Sequence, residues 1–189
     1  MKKFLCAAAL VFSLIAAPAL AADYVVDYKN SKIGFSGTHA GNAFSGTFGT
    51  WTALIRFDPA DLAGSQIIAT LDTNTAKTGS SMYDGTLPQA DWLDVKNHPQ
   101  ATFTSSAITA KEDGSGYTAA GELTLRGVTK PVSFDFTLGD LAQTPVAAKA
   151  SFAIDRLDFD IGKKSDAAAE WVSREIVLTL DISATPRAE

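Results

Sequence analysis

Cysteine is nearly absent from this chain: its one example, Cys6, lies in an apolar run at the N-terminus. The rest of the sequence can therefore form no disulfide, no cysteine-ligated metal site and no thiol nucleophile. Histidine is almost as scarce, with only His39 and His98, far apart in the sequence. A zinc or hydrolytic centre needs several His, Asp or Glu side chains converging on one point, and neither histidine has such neighbours at ligand spacing. Both are read as exposed or locally hydrogen-bonded. No Gly-x-Ser-x-Gly elbow and no phosphate-cradling loop occur. Gly34, Gly37, Gly41, Gly46 and Gly49 are read instead as turns, bulges and barrel corners. The acidic pairs Asp91 with Asp94 and Asp158 with Asp160 have the form of a general acid and base. Their setting is ordinary polar strand or turn sequence, so solvated surface is the preferred reading.

Positive charge is also in deficit. The chain carries 16 basic and 21 acidic residues. Two of the basic ones, Lys2 and Lys3, precede the apolar run Phe4 to Ile15, which is followed by the small residues Ala16-Ala17-Pro18-Ala19-Leu20-Ala21-Ala22. A basic start, a short apolar stretch and an Ala-x-Ala site describe a secretory signal peptide, cleaved after Ala21. The run is short and alanine-rich for a retained membrane anchor. Residues 22–189 then form one domain with a net charge of −7, from 14 basic and 21 acidic side chains. An acidic domain without a basic stripe is a poor partner for nucleic acid or anionic lipid surfaces. Export to the periplasm fits a chain with no thiol left to mispair.

What is abundant is two-residue alternation. Val132-Ser133-Phe134-Asp135-Phe136-Thr137-Leu138 alternates strictly between apolar and polar, the pattern of a half-buried strand. Ile176, Leu178, Leu180 and Ile182 repeat it, as do Ile33 with Phe35, Ile67 with Ala69 and Leu71, Leu123 with Leu125, and Phe152 with Ile154. Turn signals separate these runs at Asp58-Pro59, Asp113 to Gly116, Arg126-Gly127 and Gly139-Asp140. About eight such strands predict an all-β sandwich or barrel. Alternation without long apolar runs predicts antiparallel pairing. Two stretches break the pattern. Leu87 to Val95 is read as a short helix or turn starting near Pro88. Ser165 to Glu170 is read as a helical turn capped by Ser165 or Asp166. Aromatic residues recur along the strands, and from spacing alone they form either a filled core or the lining of a ligand pocket.

The run Gly121-Glu122-Leu123-Thr124-Leu125-Arg126-Gly127-Val128-Thr129-Lys130-Pro131-Val132 resembles a hairpin of the YceI-like family of lipid- or polyisoprenoid-binding periplasmic proteins. Phe44 to Phe48, Ile55 to Pro59, Asp91 to Val95 with His98 to Phe103, and Asp155 to Ile161 are similar to further blocks of that family, in the same order. The resemblance spans about Asp23 to Ala184. It implies an eight-stranded antiparallel lipocalin-like barrel with a short helical segment. It also implies an elongated apolar tunnel for an isoprenoid or long-chain lipid, no catalytic residues, no cofactor and no metal. Some relatives accompany membrane b-type cytochromes, so a quinone-like ligand, such a cytochrome partner and a homodimer are further expectations.

Strand parity turns Phe35, Phe57, Phe103, Leu123, Leu125, Phe134, Phe136, Phe152, Ile154, Ile176 and Leu178 inward, as candidate lipid contacts. Trp51, Trp92 and Trp171 are placed at the tunnel mouth. His98, Trp92, Asp160 and Met82-Tyr83-Asp84 depart from the family pattern, and their loops are expected at the mouth too. Three functions compete: a lipid carrier or sensor, a stress or interaction protein with a side-chain-filled barrel, and an enzyme, which would need a convergent polar triad inside the barrel.

Overall fold

The computed structural model describes residues 22–187; the leader reading of residues 1–21 lies outside them. Eleven strands form one sheet in which every pairing is antiparallel. They are β1 (Ala22–Val26), β2 (Lys32–His39), β3 (Asn42–Phe48), β4 (Trp51–Phe57), β5 (Gln66–Asp72), β6 (Ala76–Lys77), β7 (Gln100–Ala110), β8 (Tyr117–Leu125), β9 (Val128–Leu138), β10 (Val146–Asp155) and β11 (Glu175–Pro186). The sheet closes because β1 pairs with both β4 and β11.

Three of the barrel's strands are broken, which reconciles eleven segments with eight positions. Along β11, residues 177–181 pair with β2 and residues 184–186 pair with β1, so β1 and β2 are two halves of one staved strand. β3 and β4 share the next position, and β5 and β6 the one after. The result is a closed eight-stranded antiparallel barrel.

Each break has a local polar cause. Between β1 and β2 the Asp27 carboxylate accepts from the backbone N–H of Lys29 at 3.0 Å and from the Asn30 amide side chain at 2.7 Å. Between β3 and β4, Thr50 N–H turns to Thr75 Oγ1 at 3.0 Å. Between β5 and β6, Asp72 accepts from Asn74 N–H at 3.0 Å and caps a single 3-10 turn, Thr73–Thr75. Short polar side chains here offer the backbone an alternative to the ladder.

The β8–β9 hairpin closes on Arg126-Gly127, both in the left-handed region with φ of 51° and 74°. Two such residues in a row form the tight turn whose twist matches its strands. The His98 imidazole rests against Gly127, in the space a Cβ would need. Gly34, Gly37 and Gly46, read above as turns or bulges, lie within paired strands instead. At Gly46 the reason is close approach: the Phe35 ring, on its cross-strand partner, lies over the bare backbone. A true bulge falls at Ser105–Ala107 in β7, where the Ser105 hydroxyl accepts from Ile67 N–H at 2.8 Å.

The helix, α1, spans Ser81–Thr86, one segment earlier than the sequence pattern placed it. Pro88 follows its end rather than opening it: Leu87 still has helical dihedrals and donates its N–H to the Tyr83 carbonyl, and Pro88, with no N–H to donate, cannot extend the ladder. Leu87 to Val95 is a series of turns. Ser165 to Glu170 is irregular rather than a helical turn. The Asp166 carboxylate captures the N–H groups of Glu170 at 2.8 Å and Val172 at 2.9 Å, which holds the loop open instead of starting a helix.

Candidate functional site: an apolar cavity inside the barrel

Inward positions of every strand position face a common interior. Alanines there face one another or a large residue: Ala53 pairs with Ala69, Leu71 with Ala101, Phe136 with Ala150, and Ala150 with Leu180. Alanine leaves space that a branched or aromatic side chain would fill, and a cavity of about 180 Å³ remains. Phe152, Leu178, Leu180, Ile67 and Leu71 point inward yet are only half-buried, because one side of each faces that space. An apolar cavity of roughly 150 Å³ in a protein stays dry and accepts apolar guests.

Aromatic rings shape the cavity. Phe134 and Phe152 stack with centroids 4.4 Å apart and planes within 10°. Phe103 adds to this pair, 5.3 Å from Phe134. Farther along, Phe57, Tyr117 and Phe136 form a second cluster at 5.0–6.3 Å. Polar side chains are few in the lining. Tyr24 brings a hydroxyl that burial, and then the charge of Asp58, hold in its protonated form above the usual phenol range. Lys149 contributes its stem, while its ammonium points outward to Asp181 at 3.7 Å.

Of the residues assigned inward by parity, Phe57, Phe103, Leu123, Leu125, Phe134, Phe136, Phe152 and Leu178 line the cavity. Phe35, Ile154 and Ile176 do not; they pack into the solid core at one end of the barrel. The tryptophans do not converge. Trp51 lines the cavity wall, 4.9 Å from Tyr28. Trp92 covers the Arg156 guanidinium at 5.7 Å, and Trp171 is 62 % exposed on a loop. The lining also contains alanines and Tyr24, Ile33, Phe48, Ile55, Leu71, Leu138 and Leu141, none of them among the lipid contacts expected from the sequence. Most share the parity of their strands. The same alternation carries them, but the alanines that create the space have little hydrophobic mark of their own.

The end where Phe35 and Ile154 pack is plugged. Leu93, Phe159 and Ile161 are buried there, and Arg156 is 1 % exposed among them. Its guanidinium donates to the carbonyls of Ile161 (2.7 Å), Val172 (3.0 Å), Ser173 (3.1 Å) and Asp166 (3.1 Å), and to the Asp166 carboxylate at 2.7 Å. The departures from the family pattern lie outside the cavity lining. Tyr83 hydroxyl meets His39 Nδ1 at 3.1 Å, and His98 lies 3.8 Å from Asp94.

The acidic pairs go separate ways. Asp91 accepts from the N–H groups of Lys164 (3.0 Å) and Ser165 (2.8 Å). Burial alone would push its carboxyl up, but these bonds and the Arg126 charge bring it below the ordinary range. Asp94 instead holds the Asn97 side chain at 3.0 Å, and Asp160 holds Lys163.

Asp166 makes the plug sensitive to acid. Burial opposes its charge, yet donation from Val172, Trp171 and Glu170 and the Arg156 charge together lower its pKa. A carboxylate with a depressed folded pKa stabilises the fold above its unfolded pKa of ~3.9, and that contribution is lost as pH falls through the folded value. Urea unfolding of the natural protein and of Asp166→Asn, followed from pH 7 to pH 2.5, should therefore give curves that are farthest apart at neutral pH. The gap should narrow below about pH 4. A gap independent of pH would contradict this role.

A YceI-like domain matches residues 24–184. The chain belongs to the YceI-like family. Protein YceI of Escherichia coli is 34 % identical over 93 % of this chain and 92 % of its own. A UPF0312 protein of Pectobacterium carotovorum is 33 % identical over 96 % of this chain and 97 % of its own. Among solved structures, Burkholderia cenocepacia BcnA superposes with a TM-score of 0.80 at 29 % identity, over 85 % of this chain and all of its own. A polyisoprenoid binding domain from Saccharophagus degradans, implicated in plant cell wall breakdown, has the same fold, with a TM-score of 0.64 at 15 % identity. It covers 89 % of this chain and all of its own. The YceI-like barrel is thus preserved where little sequence is shared, as expected when alternation, not side-chain identity, specifies the sheet.

Proposed function

We propose that this protein is an exported, non-catalytic carrier that holds the apolar chain of a polyisoprenoid or similar long lipid inside its barrel. The observation that carries this reading is the cavity, whose lining is apolar around the whole circumference apart from Tyr24, the Trp51 indole N–H and the outward-reaching Lys149. Such a surface offers dispersion and burial but no acid, base or nucleophile. Burying one methylene is worth ~0.8 kcal/mol, so each five-carbon unit offers ~4 kcal/mol before association costs. Affinity then follows chain length, and Tyr24 is the group best able to read a polar head, including a quinone-like one. The family membership and the polyisoprenoid binding neighbour support the same ligand class. The basic start, short apolar run and Ala-x-Ala site of residues 1–21 support a periplasmic place of work.

The test is mass spectrometry of an organic extract from protein purified from a periplasmic fraction. A stoichiometric isoprenoid or quinone is the expected result. An empty extract, together with no uptake of added isoprenoid alcohols, would return the protein to the filled-barrel, interaction-protein reading.

A further inference from the structure

The barrel wall has a long unpaired stretch between β9 and β10. β10 keeps ten register pairs with β11 but only three with β9, namely Phe136 with Ala150, Thr137 with Lys149 and Leu138 with Ala148. Below Phe136 and Ala150 the two strands run on to Val128 and Asp155 without a ladder between them. Two independent features mark this as an open edge. Pro131 sits in the middle of β9, and proline, which has no N–H, is tolerated in a sheet only where its nitrogen faces an unpaired side. The hairpin register agrees. Leu125 and Val128 close a two-residue turn and so exchange hydrogen bonds, which directs even-numbered β9 residues to β8 and Thr129, Ser133 and Asp135 toward β10. The Thr124 and Thr129 hydroxyls, 2.8 Å apart, fit the closer, non-bonded pair this register requires.

What spans the seam on its inner side is the stacked pair Phe134 and Phe152, one ring from each strand. Both rings also line the cavity. The plugged end of the barrel, with Arg156 and Phe159 buried, offers no passage, and the turn Arg156–Phe159 packs on β9 at the seam's lower limit. We propose that the β9–β10 seam is a lateral portal through which an apolar chain enters and leaves the cavity, with Phe134 and Phe152 as its gate. This rests on the cavity being a chain-binding site. Opening here requires two rings to rotate and few backbone bonds to break, whereas parting fully paired neighbours such as β8 and β9 or β10 and β11 would sever a ladder.

The test locks the seam from outside. In the full chain with Cys6→Ala, which removes the only natural thiol, Ser133→Cys and Ala153→Cys place two exposed thiols on opposite edges of the seam. They are bridged with dibromobimane. A control bridges Ser151→Cys and Thr179→Cys, exposed partners across the intact β10–β11 ladder. Uptake of radiolabelled geranylgeraniol is then timed by rapid filtration. The seam-locked protein should fill at least about ten-fold more slowly to the same final occupancy, with the control matching the unbridged protein. Equal rates in all three overturn the portal and direct the chain to the barrel end away from Arg156. No uptake by any of them overturns the binding reading itself. Amide hydrogen exchange checks the seam without substitution. Ser133, Asp135 and Ala153 should exchange at least about ten-fold faster than their neighbours Phe134 and Phe152, and equal protection would overturn an open edge.

Discussion

Replacing Arg156 by methionine is expected to lower stability by about 3–5 kcal/mol, the usual cost of removing one partner from a buried ion pair. The side chain is 1 % exposed and makes five hydrogen bonds, so its loss strands the carbonyls of Ile161, Val172 and Ser173 and leaves the Asp166 carboxylate buried beside nothing positive. Each stranded acceptor alone costs ~1–3 kcal/mol. For a chain of this size ~1 kcal/mol corresponds to ~2–4 °C, so the melting temperature should fall by roughly 6–20 °C. Lysine is a poor substitute. It has one nitrogen where the guanidinium spreads three over carbonyls in different directions, so Arg156→Lys should recover less than half of the loss. Arg156→Met with Asp166→Leu should be more stable than Arg156→Met alone, because the orphaned charge is gone. Thermal unfolding by circular dichroism decides the matter. A shift under about 2 °C for Arg156→Met would mean that the guanidinium is not what holds residues 156–174 over the barrel end.

Nothing in the sequence around Arg156 announces that network. Four of its acceptor groups are backbone carbonyls, which every residue possesses, and they lie 5 to 17 residues away on an irregular loop. Strands were legible for the opposite reason. A pleat forces alternation, and the side chains of β8, β9 and β11 carry it as a repeated mark. The staved positions were less legible, because the breaks at Asp27–Ser31, Gly49–Thr50 and Thr73–Thr75 look like ordinary turns. Only the register of β11, which serves β2 and then β1, identifies them as interruptions of one strand. The helix was displaced by one segment because Pro88 serves equally as a helix start or a stop in local sequence. The bonds from Thr78 N–H and hydroxyl to Asp84, at 2.7 Å and 2.9 Å, tie the helix to the segment before Pro88 and favour the second. Core and cavity share one parity, so alternation alone could not separate Phe35 and Ile154 from Phe134 and Phe152. What separates them is which neighbours are alanine.

Those alanines supply the variant that distinguishes a ligand cavity from a loosely filled core. Ala69 faces Ala53 across the β4–β5 ladder and borders the space directly. Ala69→Phe should occupy the volume that one isoprene unit would take, removing up to ~4 kcal/mol of burial from a bound chain. At ~1.4 kcal/mol per decade, affinity for geranylgeraniol should drop about 100- to 1,000-fold. Stability should not fall with it, since the new ring enters empty space and burying a phenylalanine contributes ~1.5–3 kcal/mol. Phe152→Ala should do the reverse: a loss of ~3–5 kcal/mol in stability, with binding retained because the cavity has grown. A filled barrel predicts otherwise. There Ala69→Phe would overpack the interior and cost ~1–3 kcal/mol, and neither variant would alter a binding signal, there being none. Paired measurements of melting temperature and geranylgeraniol retention on the two variants therefore separate the readings by the sign of the correlation. Stability and binding that move in opposite directions identify a cavity kept open for its ligand at the expense of the fold's own packing.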